Sequence, residues 1–202
     1  MPPGASSFPL VGLARHGETP WSLTGQHTGL TDLPLTAHGE ENARRLAPRV
    51  ARFSFARVFV SPLVRARRTC ELAGYGDRAV VDPDLVEWNY GDYEGKKTVD
   101  IRRERPEWNL FRDGCPGGES PADVAVRARR VVARIRGDGE GNTLLFSSGH
   151  FLRALAATWL GLDVSVGGNY FMLDTASFSL LGYEHDRAHP VIRLWNEIAY
   201  TE

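Results

Sequence analysis

One short apolar run, ending in a charged and a titratable side chain, constrains this chain most. Residues 10–14 read Leu-Val-Gly-Leu-Ala, and Arg15, His16 and Gly17 follow at once. A run this short, bounded by a polar, glycine-rich segment, predicts a buried strand. In open α/β sheets, ligands bind outside the carboxyl ends of the strands, so Arg15 and His16 are candidate site residues.

The chemistry of these two side chains suits an anionic, phosphorylated ligand. Arg15 carries a planar fork of donors for phosphate oxygens, and His16 carries a nitrogen nucleophile that titrates near neutrality. Gly17 lets the backbone turn sharply and approach a ligand. The alternative is a chance Arg-His-Gly in a loop, and the rest of the chain must decide.

Composition and charge exclude several classes of partner. The chain has 202 residues, enough for one domain with a substantial core. Its 24 basic and 25 acidic residues give a net charge of −1, so no overall field favours nucleic acid or a membrane. No apolar run approaches the length of a membrane span.

The cysteines and the N-terminus predict a cytoplasmic protein. Cys70 and Cys115 form no zinc or redox spacing and fit a reducing compartment. Residues 1–7 are small and polar and lack the regions of a signal peptide. We expect a disordered segment over 1–7 and a single domain over 8–202.

Strands and helices alternate along the chain. Further strands are predicted at 57–61, 79–82 and 143–148, with a hairpin over 176–184 and 191–195. Helices are predicted after Thr36, from Pro62, over 99–105, from Ser120 and over 151–160. Residues 17–35 form a long loop of the kind that is usually functional. This alternation predicts a three-layer α/β/α sandwich around a mostly parallel, mixed sheet.

The ends of the other strands carry further candidate groups. Arg65 lies one turn into the helix after the second strand, where a solvated surface arginine is the equal alternative. Ser148 and His150 follow the strand at 143–148. Glu87 has aromatic neighbours, and a partly desolvated carboxyl kept protonated near neutrality suits the protonation of a leaving alkoxide.

Five ordered motifs resemble the histidine phosphatase superfamily, which also contains the cofactor-dependent phosphoglycerate mutases. They are Ala-Arg-His-Gly-Glu-Thr-Pro-Trp at 14–21, Ser-Pro-Leu-Val-Arg-Ala-Arg-Arg-Thr at 61–69, Leu-Val-Glu-Trp-Asn-Tyr-Gly at 85–91, Gly-Gly-Glu-Ser at 117–120 and Gly-His-Phe-Leu-Arg-Ala at 149–154. The resemblance spans nearly the whole chain and implies a phosphoglycerate mutase-like fold. Segments 25–36, 87–95 and 112–115 are most similar to the sedoheptulose bisphosphatase-like branch.

The resemblance implies a catalytic role for four residues. His16 would be the nucleophile that forms a phosphohistidine, and Arg15 and Arg65 would hold the phosphoryl oxygens. Glu87 would protonate the leaving oxygen.

The resemblance also implies substrate-binding positions. Ser22, Thr28 and Gly29 match positions that touch the phosphoryl group or the substrate, and Tyr90 matches a position that lines the pocket. Ser22 stands where mutases commonly have asparagine, which favours a phosphatase.

The chain departs from the family pattern at its second catalytic histidine. That histidine lies five residues before the arginine matched by Arg153, and here this position is Ser148. Three alternatives remain open: His150 substitutes for it, the Ser148 hydroxyl and water suffice, or activity is impaired. We favour His150, because a two-residue offset across a turn can still reach the same phosphate.

The sequence therefore predicts a metal-independent phosphomonoesterase acting on a small phosphorylated sugar or acid, without metal or cofactor. A phosphoglycerate mutase and a catalytically impaired phospho-ligand-binding protein are the alternatives. The expected partner is the substrate, and a homodimer stays open. The remaining histidines are interpreted as surface or packing residues: His27, which borders the pocket loop, His38, His185 and His189.

Overall fold

A single mixed sheet organises the computed structural model, which describes residues 8–137 and 141–199. Its order is β3-β2-β4-β1-β5-β6. The strands are β1 (Val11–Arg15), β2 (Arg57–Val60), β3 (Val80–Val81), β4 (Thr143–Ser147), β5 (Phe178–Tyr183) and β6 (Pro190–Glu197). Strands β1 to β4 run parallel to one another. The antiparallel hairpin β5–β6 adds to the sheet through β5, which pairs antiparallel with β1.

Helices cover both faces of this sheet. They are α1 (Pro20–Thr24), α2 (Ala37–Val50), α3 (Val64–Leu72), α4 (Thr98–Glu104), α5 (Leu110–Asp113), α6 (Pro121–Gly137), α7 (Gly149–Trp159) and α8 (Val164–Gly167). One core contains the inner faces of α6 and α7, and the other contains those of α2 and α3. The expected three-layer α/β/α sandwich is confirmed.

Two local predictions were wrong. Residues 20–24 form helix α1 within the expected loop, because Thr19 and Ser22 make a reciprocal capping box and Pro20 follows the cap. Helix α3 begins at Val64 rather than at Pro62, and Asp32 Oδ1 accepts a hydrogen bond from the Val64 amide at 2.8 Å.

The parallel strands bring their carboxyl ends to one edge of the sheet. Arg15, the last residue of β1, pairs with Ser147, the last residue of β4. The His16 amide extends this pairing by donating to the Ser147 carbonyl at 3.0 Å. The side chains that follow both strands therefore meet at one edge, as the sequence predicts.

The remaining predictions concern the N-terminal segment, the domain boundaries and membrane-spanning helices. The segment predicted to be disordered, 1–7, lies outside the described residues, and the boundaries 8–202 stay a prediction. In the described part of the chain, no helix is both long enough and apolar enough to cross a membrane.

Candidate active site

His16 is buried at the end of β1 with one ring nitrogen fixed. Its Nδ1 lies 2.7 Å from the Gly17 carbonyl oxygen, which only accepts, so Nδ1 carries the proton. Burial lowers the pKa of His16 well below its ordinary value, and the positive charges of Arg65 and Arg15 lower it further. The ring is therefore neutral, and Nε2 keeps the lone pair that a nucleophile needs.

Gly17 serves packing rather than the approach of a ligand. A Cβ at Gly17 would lie 2.4 Å from the Gly39 carbonyl oxygen, and a Cβ at Gly39 would lie 2.2 Å from the Glu18 carbonyl oxygen. The Gly17 amide donates to Thr69 Oγ1 at 2.9 Å, and that hydroxyl donates to the Arg65 carbonyl at 2.7 Å. These contacts fasten the turn after His16 to α3.

Arg15 runs beside the start of α7. A Cβ at Gly149 would lie 3.1 Å from both Cζ and Nε of Arg15, so a larger residue here would have to displace the guanidinium slightly. Its Nη1 donates to the Leu173 carbonyl, while Nε has no partner among the described residues. Burial lowers the pKa of Arg15, although a guanidinium stays charged in proteins.

Arg65 is fully buried and uses its terminal nitrogens to hold the neighbouring loop. Its Nη1 donates to the Thr31 carbonyl at 3.0 Å, and its Nη2 donates to the carbonyls of Thr28 and Gly29 at 3.0 and 2.8 Å. Its Nε has no partner in the described parts of the chain. Three of the five N–H donors of Arg65 are therefore used on this loop, and the Nε donor is among those left.

Glu87 is buried and bonded to the first turn of α7. Its Oε1 accepts from the amides of Trp88 and Phe151 at 2.9 and 2.7 Å, and its Oε2 accepts from the His150 amide at 3.0 Å. The apolar environment expected from the aromatic neighbours is thus replaced by three backbone donors. One lone pair of Oε2 is left, because each carboxylate oxygen can accept two hydrogen bonds.

His150 lines the cavity and bonds to Tyr90. The Tyr90 hydroxyl lies 2.5 Å from His150 Nδ1. Burial raises the pKa of Tyr90 well above its ordinary value and lowers that of His150 well below its own. Both groups are therefore neutral near pH 7, and Nε2 is the His150 nitrogen left for a ligand.

Ser148 lies behind the cavity at the start of α7. It is fully buried, and its hydroxyl has no hydrogen-bond partner among the described residues. It is the N-cap residue of α7, yet its side chain makes no capping bond. The residue at the family's histidine position thus contributes a buried hydroxyl without a partner.

The predicted substrate-binding residues differ in how they meet the cavity. Ser22 Oγ accepts from the Thr19 amide at 2.8 Å and donates to the Thr19 carbonyl at 3.0 Å. Thr28 Oγ1 donates to the Gln26 carbonyl at 3.3 Å. Gly29 packs where a Cβ would lie 2.5 Å from the Trp88 carbonyl oxygen. Both Ser22 and Thr28 face the cavity, whereas Gly29 supports it from behind.

The cavity at the sheet edge has a volume of about 250 Å³. It brings together seven of the ten predicted site residues: Arg15, His16, Ser22, Thr28, Glu87, Tyr90 and His150. Arg65, Gly29 and Ser148 are not part of its wall. Within the described residues, no group of three His, Cys, Asp or Glu side chains is placed to hold a metal ion.

His27 is a wall residue that the sequence analysis assigned to surface or packing. Its ring lies 4.7 Å from that of Tyr90 and 5.9 Å from that of His150, centroid to centroid. Its Nε2 lies 3.2 Å from Thr98 Oγ1. Burial lowers the pKa of His27 to about 4. Its position in the glycine-rich loop at 25–29 was the available signal.

Arg153 is a second wall residue without a role assigned from the sequence. Its Nε donates to the Gly168 carbonyl at 3.0 Å, and its guanidinium lies 4.8 Å from the Phe111 ring centroid. Its place on α7, three residues after His150, was the available signal, because residues three apart share a helix face. With Arg15 and Arg65, it makes the site cationic.

Comparisons with known proteins agree with this arrangement. The family model of the histidine phosphatase superfamily (branch 1) matches residues 11–198. Sedoheptulose 1,7-bisphosphatase from Saccharomyces cerevisiae is 41% identical over 191 residues, which cover 79% of this chain and 70% of the relative. Acid phosphatase from Mycobacterium tuberculosis is 39% identical over 176 residues and 86% of each chain.

A solved structure extends the similarity to the fold. The structure of an open reading frame from Mycobacterium tuberculosis has a TM-score of 0.89 and 35% identity, covering 94% of this chain and 98% of the other. The family match and the relatives span both the sheet and the candidate site. The chain therefore belongs to the histidine phosphatase superfamily, branch 1.

Proposed function

We propose that this chain is a phosphatase that hydrolyses monoesters of small phosphorylated metabolites through a phosphohistidine at His16. The observation that carries the proposal is the His16 ring, which is neutral, bonded through Nδ1 to Gly17 and surrounded by the charges of Arg15 and Arg65. Such a ring is a competent nucleophile beside a cationic site for phosphoryl oxygens.

The reaction has two steps. In the first, His16 Nε2 attacks phosphorus, an N–P bond forms and the bond to the leaving oxygen breaks, while protonated Glu87 gives its proton to that oxygen. In the second, water attacks the phosphorus of the phosphohistidine, an O–P bond forms and the N–P bond breaks, Glu87 takes the proton of water, and inorganic phosphate leaves with His16 Nε2 free again. The free lone pair of Glu87 Oε2 supports this acid–base role.

The cationic groups stabilise charge on the transferred phosphoryl group. Arg15 lines the cavity and Arg65 does not, yet each keeps an Nε without a hydrogen-bond partner in the described chain, and we propose that each donates it to a phosphoryl oxygen when substrate is bound. His150 supplies a third donor through Nε2 in the proposed role of the family's second histidine. These donors supply charge stabilisation that preorganised groups typically give to such a transition state.

The substrate proposed is a sugar phosphate or bisphosphate. Two relatives, a sedoheptulose 1,7-bisphosphatase and an acid phosphatase, are named for phosphate release, which supports hydrolysis over mutase activity. A mutase would return the phosphoryl group to a substrate before water attacks. Release of inorganic phosphate without added bisphosphoglycerate tests the proposal, and absence of release from a broad panel of phosphomonoesters would contradict it.

A catalytically impaired binding protein is the second candidate. The unpartnered, buried Ser148 hydroxyl favours it, because the family's second histidine is missing at that place. Rapid quenching with labelled substrate separates the two. An adduct that is labile to acid and stable to base supports the enzyme, provided that the His16→Ala variant does not form it. Substrate binding without adduct or phosphate release supports the binding protein.

We also infer a cytoplasmic location and leave a homodimer as a prediction. Cys70 and Cys115 are both buried and unpaired, which suits a reducing compartment. The cavity takes its described wall residues from one chain. Light scattering after size exclusion measures the oligomeric state directly.

A further inference from the structure

A second cavity adjoins the candidate active site. It has a volume of about 140 Å³ and shares four wall residues with the first cavity: His27, Thr98, His150 and Arg153. His16 and Arg15 belong only to the first cavity. A ligand whose phosphoryl group lies at His16 can therefore extend past His150 and Arg153 into the second cavity.

The charge of the second cavity is one-sided. Arg102 and Arg153 line it, and its described wall contains no aspartate or glutamate. Each arginine donates through Nε to a backbone carbonyl, Arg102 to Trp108 and Arg153 to Gly168, both at 3.0 Å. The terminal nitrogens of both arginines have no hydrogen-bond partner in the described parts of the chain. Both guanidinium groups are thus fixed through Nε and keep their terminal N–H donors for a ligand, an arrangement that suits an anion.

The other wall residues are uncharged: five are polar, and the remaining three are Trp108, Leu110 and Phe111. Asn109 Nδ2 donates to Asn169 Oδ1 at 2.9 Å, which joins two sides of the cavity. Burial keeps His27 neutral, with a pKa of about 4, and places its ring beside that of His150. No negatively charged side chain lies in this described wall, and several of its polar groups can donate hydrogen bonds to an anion.

We propose that the second cavity binds a second acidic group of the substrate, with Arg153 as the main contact and Arg102 at the rim. This inference rests on the proposed function, and it narrows the substrate class to molecules that carry a phosphate monoester and a distal phosphate or carboxylate. Arg153 then acts as a specificity-determining residue.

Equilibrium binding tests the proposal independently of turnover. The His16→Ala protein is titrated by calorimetry with fructose 1,6-bisphosphate and with fructose 6-phosphate as a matched pair. We expect the bisphosphate to bind more tightly. Adding Arg153→Met should weaken binding of both ligands, because Arg153 also lines the first cavity, but the loss for the bisphosphate should exceed that for the monophosphate about tenfold to a hundredfold, the scale of one charge-assisted contact. Arg102→Met should give a smaller loss of the same kind.

One control variant and three outcomes make the result decisive. Arg129→Met removes the same charge from an exposed position on α6 that lines neither cavity, and it should change neither affinity. Equal losses for both ligands, no loss in either cavity variant, or no preference for the bisphosphate would overturn the second anion site. If that preference holds but no phosphate is released from any substrate by the unmodified protein, the proposed hydrolysis fails and the second site stands.

Discussion

The Tyr90 hydroxyl and His150 Nδ1 lie 2.5 Å apart across the cavity, so the ring two residues after the family's histidine position is held in place. The amide of the same histidine donates to Glu87. His150 is therefore fixed through both its backbone and its ring. A donor fixed in this way needs no reorganisation when charge develops on a phosphoryl group.

Removing the His150 ring should lower kcat. We expect His150→Ala to lose about a hundredfold, the scale of one preorganised donor. Tyr90→Phe should lose only a few-fold, because the ring stays but its Nδ1 partner is gone. Steady-state kinetics on one substrate measures both. An unchanged kcat in His150→Ala would show that this histidine does not replace the missing one.

Ser148 should matter more for stability than for catalysis. Burying a hydroxyl without a hydrogen-bond partner costs about 1–3 kcal/mol, so Ser148→Ala should raise the free energy of unfolding by about 1 kcal/mol and leave kcat nearly unchanged. Urea unfolding and a kinetic assay measure the two effects. Ser148→His should preserve or raise kcat by restoring the family's residue. A large loss of kcat in Ser148→Ala would instead give the serine hydroxyl a catalytic role.

Arg65→Lys should not restore what Arg65→Ala loses. One ammonium cannot hold the carbonyls of Thr28, Gly29 and Thr31 and still meet a phosphoryl oxygen. With charge-assisted contacts of about 1.5–3 kcal/mol each, both variants should lose roughly tenfold to a few hundredfold in kcat/KM. Arg15→Ala should fall in the same range. Full activity in Arg65→Lys would contradict this account of the loop.

The sheet edge and most of the cavity wall could be predicted from local sequence. The apolar runs before Arg15 and Ser148 place both residues at strand ends, and parallel strands bring such ends together. Helix α1 could also have been predicted, because Thr19, Pro20 and Ser22 form a helix N-terminal capping signal inside the segment that was assigned to a loop.

Long-range pairing explains what local sequence could not predict. His27 is buried because its loop pairs with a distant segment, through a bridge between Gln26 and Lys97. The Arg65 fork is occupied by carbonyls more than thirty residues earlier in the chain. No periodicity within either segment encodes such contacts, so the sequence predicted only a surface or packing role for His27 and a guanidinium free for phosphate at Arg65.

Glu87→Gln should slow alkyl phosphates far more than an activated aryl phosphate. An alkoxide needs a proton as it leaves, whereas a stable phenolate does not. The amide cannot donate an acid proton, and in either orientation its NH₂ faces at least one backbone donor, either His150 or the pair Trp88 and Phe151. We therefore expect a lower free energy of unfolding as well. Kinetics on both substrate types, below the unfolding temperature of the variant, measures the difference, and equal losses would remove Glu87 from the acid role.

Stability should fall as the pH drops below about 6.5, partly because of His27. Its pKa is about 4 in the folded chain, so the unfolded chain binds more protons between these two values. The contribution is fully present above pH 6.5 and is lost as the pH falls toward 4. Between pH 7.5 and pH 5 it amounts to about 2 kcal/mol. His16 and His150, whose pKa values are also lowered by burial, act in the same direction.

The His27→Gln variant isolates this contribution. Glutamine keeps a hydrogen-bonding group toward Thr98 but does not titrate, so the variant should lose about 2 kcal/mol less than the unmodified chain between pH 7.5 and pH 5. His38→Gln is the matched control, because it makes the same replacement at an exposed histidine, and the change in His27→Gln is measured against it. Urea unfolding at both pH values gives the four free energies of each comparison. The same pH dependence in His27→Gln and in the unmodified chain would mean that folding does not lower the pKa of His27.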